Sequence, residues 1–118
     1  LMSRRELKDT ILESLDDMKA KDVTVLDVRE MTTITDCMII ASGTSDRHVR
    51  SVAEAVIESC KKQGARPVGV EGLESGEWVL VDLEDVLVHV MIPRVRDFYN
   101  LEKLWSMSPT ANVASPHA

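Results

Sequence analysis

The residues of this chain that could do chemistry fall into a few small groups. Ser42-Gly43-Thr44-Ser45-Asp46-Arg47-His48 is a polar turn between an apolar run and a helix-patterned segment. Backbone N–H groups at such a junction can hold an anion. The bland reading is a helix start capped by Thr44 or Ser45. Asp82, Glu84 and Asp85 crowd one short stretch. Paired carboxylates can move protons or bind Ca²⁺, but the spacing fits no calcium loop and an exposed turn favours aspartate anyway. Cys37 and Cys60 sit among apolar neighbours, without a CxxC or a Cys/His cluster, and read as reduced core thiols. His48 and His89 belong to no nucleophile signature. His48 falls in the first turn of a helix, and His89 reads as a packed or hydrogen-bonded strand residue.

The Gly43–Arg47 turn also suggests a nucleotide-binding or nucleotidyltransferase-like enzyme. Such chemistry needs paired carboxylates on a nearby strand to hold Mg²⁺. The next strand offers only Glu71, in Pro67-Val68-Gly69-Val70-Glu71-Gly72. The enzymatic reading therefore stands as the alternative, and no catalytic residue, cofactor or metal is expected.

Docking is the other chemistry available. Glu77–Trp105 holds all four aromatic residues, Trp78, Phe98, Tyr99 and Trp105, and the densest β-branched run. Trp and Tyr dominate interface hot spots. By the strand period of two, Trp78, Leu80 and Asp82 share one face and Val79, Val81 and Leu83 the other. Both faces are apolar, so each needs a cover. Trp78, Tyr99 and Trp105 either pack on one another as a small satellite core or offer a surface to a second copy or a partner.

These residues need elements to position them. Ser3 and Glu6 form a capping box for a first amphipathic helix reaching about Ala20. Leu1 precedes Met2 and is left out of the fold argument. Val23–Arg29 and Asp36–Ser42 read as strands, the second apolar on both faces and hence interior. Val49, Val52, Ala53, Val56, Ile57 and Cys60 recur at helical spacing, and Gly64 ends that helix. Arg66–Glu71 reads as a short strand, and Pro67 suggests an edge or strand-start position. Glu77–Leu83 and Val86–Ile92 make a hairpin around Glu84-Asp85. Pro93 stops it, and Arg94–Trp105 is helical, with Val95, Phe98, Tyr99, Leu101, Leu104 and Trp105 as its apolar set and a break near Asn100. Residues 106–118 are small and polar, a disordered tail. The order α-β-β-α-β-β-β-α implies one α/β domain over residues 3–105, a mixed sheet of about five strands with flanking helices.

Bulk properties narrow the partner. A chain of 118 residues with 44% hydrophobic and 29% charged residues suits one domain. No apolar run approaches the roughly 18 residues of a membrane span, and no secretory leader pattern is present at the start, so a cytoplasmic location without membrane contact is expected. The net charge of −6 argues against direct nucleic-acid binding, which favours a basic surplus.

Over residues 6 to 105 the sequence resembles the Iojap family, the bacterial ribosomal silencing factors. The resemblance is carried by Asp36 and Ile39–His48, by Glu71-Gly72 and Glu77-Trp78, and by Asp82 and Val88-His89. It closes on Arg96-Asp97-Phe98-Tyr99-Asn100-Leu101-Glu102 with Leu104-Trp105. It implies a nucleotidyltransferase-like α/β fold without catalytic carboxylates. It also implies a non-enzymatic translation repressor, with members seen as homodimers. Such proteins bind the large ribosomal subunit through its fourteenth L-series ribosomal protein, at the intersubunit face. There they block subunit joining in starvation or stationary phase. Carried onto this chain, the implied contact residues are Trp78, Leu80, Pro93, Tyr99, Asn100 and Leu101, with Arg94 and Arg96 available to pair with acidic groups on the partner.

Overall fold

The computed structural model describes residues 2–106. Helix α1 (Arg4–Asp17) opens on the expected capping box: Ser3 Oγ accepts from the Glu6 amide, and Glu6 accepts from the Ser3 amide. Two orphan donors are thereby satisfied at once. After β1 (Lys21–Asp27) and β2 (Cys37–Ser42) comes α2 (Asp46–Lys62), capped by Ser45 and ended by Gln63, with Gly64 at positive φ. Then follow β3 (Gly69–Glu71), β4 (Trp78–Asp82), β5 (Val86–Met91), α3 (Pro93–Tyr99) and α4 (Leu101–Ser106). Ser106, expected to begin the tail, closes α4. The rest of that expectation, residues 107–118, lies outside the described residues.

The five strands form one mixed sheet in the order β1-β2-β5-β4-β3. Only β2 and β5 run parallel; the other neighbours are antiparallel. Strand β2 is buried along its whole length, as its two apolar faces require. On one face, Cys37, Ile39 and Ala41 of β2, Val79 and Val81 of β4, and Val86, Val88 and Val90 of β5 meet Leu7, Ile11 and Leu15 of α1 and the apolar stripe of α2. This is the main core. On the other face, Met38, Ile40 and Met91 pack with Val28 and Val95, with Trp78, Leu101 and Trp105 partly buried against them.

The predicted break near Asn100 is sharp. Asn100 takes a left-handed conformation (φ 47°, ψ 53°), and its amide donates to the Arg96 carbonyl at 2.8 Å. Asparagine tolerates this conformation better than other residues with a side chain. The turn redirects the chain, so the apolar residues before and after it do not share one helical face. Val95 is buried, whereas Phe98, Tyr99 and Leu104 are exposed.

Arg96 departs most from expectation. It is not free to pair with a partner: it is 6% exposed. Its Nε and Nη2 donate to the two carboxylate oxygens of Glu102 at 2.9 Å each. Nη1 donates to Ser42 Oγ at 2.9 Å and Nη2 also to Thr24 Oγ1 at 3.1 Å. One guanidinium thus ties α3 to α4, β2 and β1. It also holds the Glu102 carboxyl below the usual carboxylate range, chiefly through this hydrogen bonding. Arg94 is solvent-exposed and pairs with Glu77. Removing one partner of a buried ion pair leaves the other uncompensated, whereas exposed pairs contribute little. Arg96→Ala should therefore lower the unfolding free energy by about 3 kcal/mol, and Arg94→Ala by less than about 1 kcal/mol, read from urea denaturation midpoints.

Candidate functional site

The Gly43–Arg47 turn is closed by its own side chains. Ser45 Oγ accepts from the His48 amide at 3.1 Å, Asp46 Oδ1 from the Arg47 amide at 2.9 Å, and His48 Nδ1 from the Thr44 amide at 2.9 Å. Because Nδ1 accepts, the neutral ring carries its proton on Nε2, which donates to the Met18 carbonyl at 2.8 Å. His48 therefore ties the start of α2 to the end of α1. These amides serve the helix cap and do not point at an open anion cradle. Cys37 and Cys60 are buried free thiols. Burial raises both pKa values, that of Cys60 to about 11, so the nucleophilic thiolate is suppressed. Among the Asp82–Asp85 carboxylates, Asp82 Oδ1 accepts from the Glu84 amide and closes the hairpin turn, with Glu84 at φ 70°.

The aromatic face is different, because its groups point outward. Helices α1 and α2 cover one side of the sheet; α3 and α4 cover only part of the other. Trp78 on β4 lies diagonal to His89 on β5, since Leu80 pairs with His89 and Trp78 with Met91. Long aromatic side chains reach across such diagonals. Trp78 Nε1 donates to His89 Nδ1 at 2.9 Å. Val95 anchors α3 in the second core, which leaves Tyr99, one turn on, leaning over Trp78. The Trp78 and Tyr99 ring centroids are 4.9 Å apart, and Phe98 meets Tyr99 edge-on at 5.0 Å. Phe98 is 80% exposed and Tyr99 54%.

Two depressions flank the indole. One, of about 370 Å³, is lined by Ser75, Glu77, Trp78, Arg94, Val95, Phe98 and Tyr99. The other, of about 310 Å³, is lined by Glu71, Gly72, Trp78, Leu80 and His89. Of the six residues singled out from sequence, Trp78, Leu80 and Tyr99 come together here. Pro93 and Asn100 line a separate polar depression beside Arg96, and Leu101 is half-buried in the second core. Phe98, expected in the helical apolar set but not among the contact residues, also belongs to the aromatic face.

Gly72 sets how closely the β3–β4 loop approaches this face. It sits at φ 92°, and a Cβ there would lie 1.9 Å from the Trp78 carbonyl oxygen. Gly72→Ala should cost at least about 2 kcal/mol from backbone strain and displacement and should shift the tryptophan fluorescence maximum.

His89 is 8% exposed, and burial holds its pKa down to about 4, against an ordinary value near 6.5. Above pH 6.5 the ring is neutral folded or unfolded, and the stability it permits is fully present. As pH falls, the unfolded chain takes up the proton first, so stability is lost between about 6.5 and 4. The total is about 3 kcal/mol, levelling off once the folded ring also protonates. His89→Asn should remove this part of the acid dependence, measured as denaturation midpoints at pH 7 and pH 4.5.

Comparison with known proteins identifies relatives of this chain. Residues 2–118 match a family model described as ribosomal silencing factor during starvation. A Chromobacterium violaceum protein named ribosomal silencing factor RsfS is 47% identical over 104 residues, 88% of this chain and 85% of that one. A Haemophilus influenzae protein of the same name is 43% identical over 100 residues, 85% of this chain and 98% of its own. A crystal structure of a protein from Chromobacterium violaceum superposes with a TM-score of 0.86 at 47% identity, covering 88% of this chain and 87% of that one. The chain belongs to the ribosomal silencing factor family.

Proposed function

We propose that this protein represses translation without chemistry of its own, by occupying the intersubunit face of the large ribosomal subunit. The contact is the subunit's fourteenth L-series protein, and the consequence is that the small subunit cannot join. Starvation or stationary phase is the setting. One observation carries the reading: Trp78, Tyr99 and Phe98 form a contiguous aromatic ridge running from β4 onto α3, with a depression on either side of Trp78. Aromatic anchors beside concave apolar pockets are the usual core of a docking surface. A total burial of about 1,200–2,000 Å² makes a stable complex, and a domain held there excludes another large body by volume alone. The net charge of −6 suits a basic ribosomal protein and discourages stray RNA contact.

The ridge is also where a second copy of the chain would compete, so dimerisation and ribosome binding exclude each other if both use it. Light scattering with and without purified large subunits separates the two uses.

Adding the protein to separated subunits should reduce the joined-ribosome peak in a sucrose gradient, and an unchanged profile at excess protein rejects the reading. Tyr99→Ala and Phe98→Ala should each weaken binding to large subunits, Tyr99→Ala by about 30-fold, equivalent to a hot-spot loss of about 2 kcal/mol. Both variants should keep a native circular dichroism spectrum, because neither side chain is buried.

A further inference from the structure

The aromatic face contains a ring nitrogen that its packing does not use. Trp78 Nε1–H can only donate, so the His89 Nδ1 that it meets at 2.9 Å must carry a lone pair. A neutral imidazole then has its one proton on Nε2. His48 shows the same logic with its circuit closed, since its Nε2 reaches the Met18 carbonyl. For His89, no acceptor for Nε2 occurs among the described residues. No fully enclosed side-chain nitrogen or oxygen among them lacks a hydrogen-bond partner. The His89 Nε2–H is therefore reached by solvent, and its ring lines an opening, the depression shared with Glu71, Gly72, Trp78 and Leu80.

We propose that His89 is the specificity-determining residue of the docking face: its Nε2–H donates to a neutral carbonyl oxygen of the bound partner, a backbone or carboxamide C=O seated over Leu80. The proposal rests on the reading of this face as the docking surface. Docking strips water from the depression. An apolar occupant would leave the N–H unpaired and forfeit its hydration, so it is penalised. Sites that hydrogen-bond their ligand reject analogues that lack the matching group far more strongly than apolar pockets reject a size change. The Glu71 carboxyl at the rim disfavours an anionic acceptor, which leaves the neutral carbonyl. A primary or backbone amide suits the pair well, because it offers C=O to His89 and N–H towards Glu71.

His89 also positions Trp78, and the two roles can be separated. Asparagine places an oxygen near the Nδ1 position and nothing at Nε2. Glutamine places an amide near Nε2 and removes the acceptor that Trp78 uses. Binding of His89→Asn, His89→Gln and Tyr99→Ala to purified large subunits is measured beside the wild-type protein, with imidazole ¹⁵N shifts recorded on the wild type. The expected order is wild type tightest and His89→Asn weakened at least about fivefold. His89→Gln should recover most of that loss, and the ¹⁵N spectrum should show the Nε2–H tautomer. The proposal is overturned if His89→Asn binds like wild type, if it binds better than His89→Gln, or if the ring carries its proton on Nδ1. Equal weakening of both variants assigns His89 to holding Trp78 alone and equally overturns it. If Tyr99→Ala binds normally, the docking face itself is wrong and the selector falls with it. If Tyr99→Ala is weakened and His89→Asn is not, only the selector fails.

Discussion

A single buried guanidinium decides the shape of the surface this protein presents. Arg96 lies at the junction of α3, α4, β1 and β2, and its guanidinium donates to the side chains of Glu102, Ser42 and Thr24. Burying a charge is costly unless its donors find well-placed partners. The planar fork of arginine meets that condition by gripping both oxygens of one carboxylate and reaching two hydroxyls from its other edge. Lysine could not do this, having a compact charge and no fork. The corner at Asn100 is held between Arg96 and Glu102, so the left-handed turn and the ion pair support one another. The direction in which Tyr99 and Phe98 project follows from both.

The rest of the open face follows from lengths. At 1.5 Å per residue, the seven residues of α3 and the six of α4 span only about 10 Å each. They cap the β1-β2-β5 side of the sheet and cannot reach across β4 and β3. On the opposite face, α1 and α2, with 14 and 17 residues, cover the central strands and leave Val25 of β1 exposed. The asymmetry leaves Trp78, Leu80 and His89 at the edge of cover, close enough to the second core to be held rigid and far enough out to be reached. Rigid aromatic side chains lose little entropy on binding.

Much of this was legible in the sequence because it rests on local rules. Ser3-x-x-Glu6 predicted a capped helix, the doubly apolar Cys37–Ser42 run predicted an interior strand, and Pro67 predicted an edge. Asn100 marked the break. What the sequence did not disclose depends on contacts between distant segments. An arginine in a short helix reads as surface, since charged residues are rarely fully buried. Only the fold brings Thr24, Ser42 and Glu102 around Arg96. Phe98 shares the helical apolar set with Val95, and spacing alone does not show that α3 packs Val95 and leaves Phe98 outside. The Trp78–His89 bond needs the hairpin register. The tight turn at Glu84-Asp85 contained that register in principle, since it pairs Leu80 with His89 and sets Trp78 on the diagonal.

Whether the aromatic residues form a satellite core or a docking surface is not a choice between exclusive states. Trp78 packs partly against the second core, stacks near Tyr99 and donates to His89, while also walling both depressions. Its inner contacts fix the indole in place; its outer ones are what a partner meets. Truncating Trp78 removes both, leaving His89 without its donor and Tyr99 without its support, so loss of binding in that variant cannot be apportioned to contact alone. Phe98 and Tyr99 carry most of their area outside the packing and report on docking more cleanly. The distinction is physical: a residue shared by core and interface couples binding to stability, and residues placed only at the rim do not.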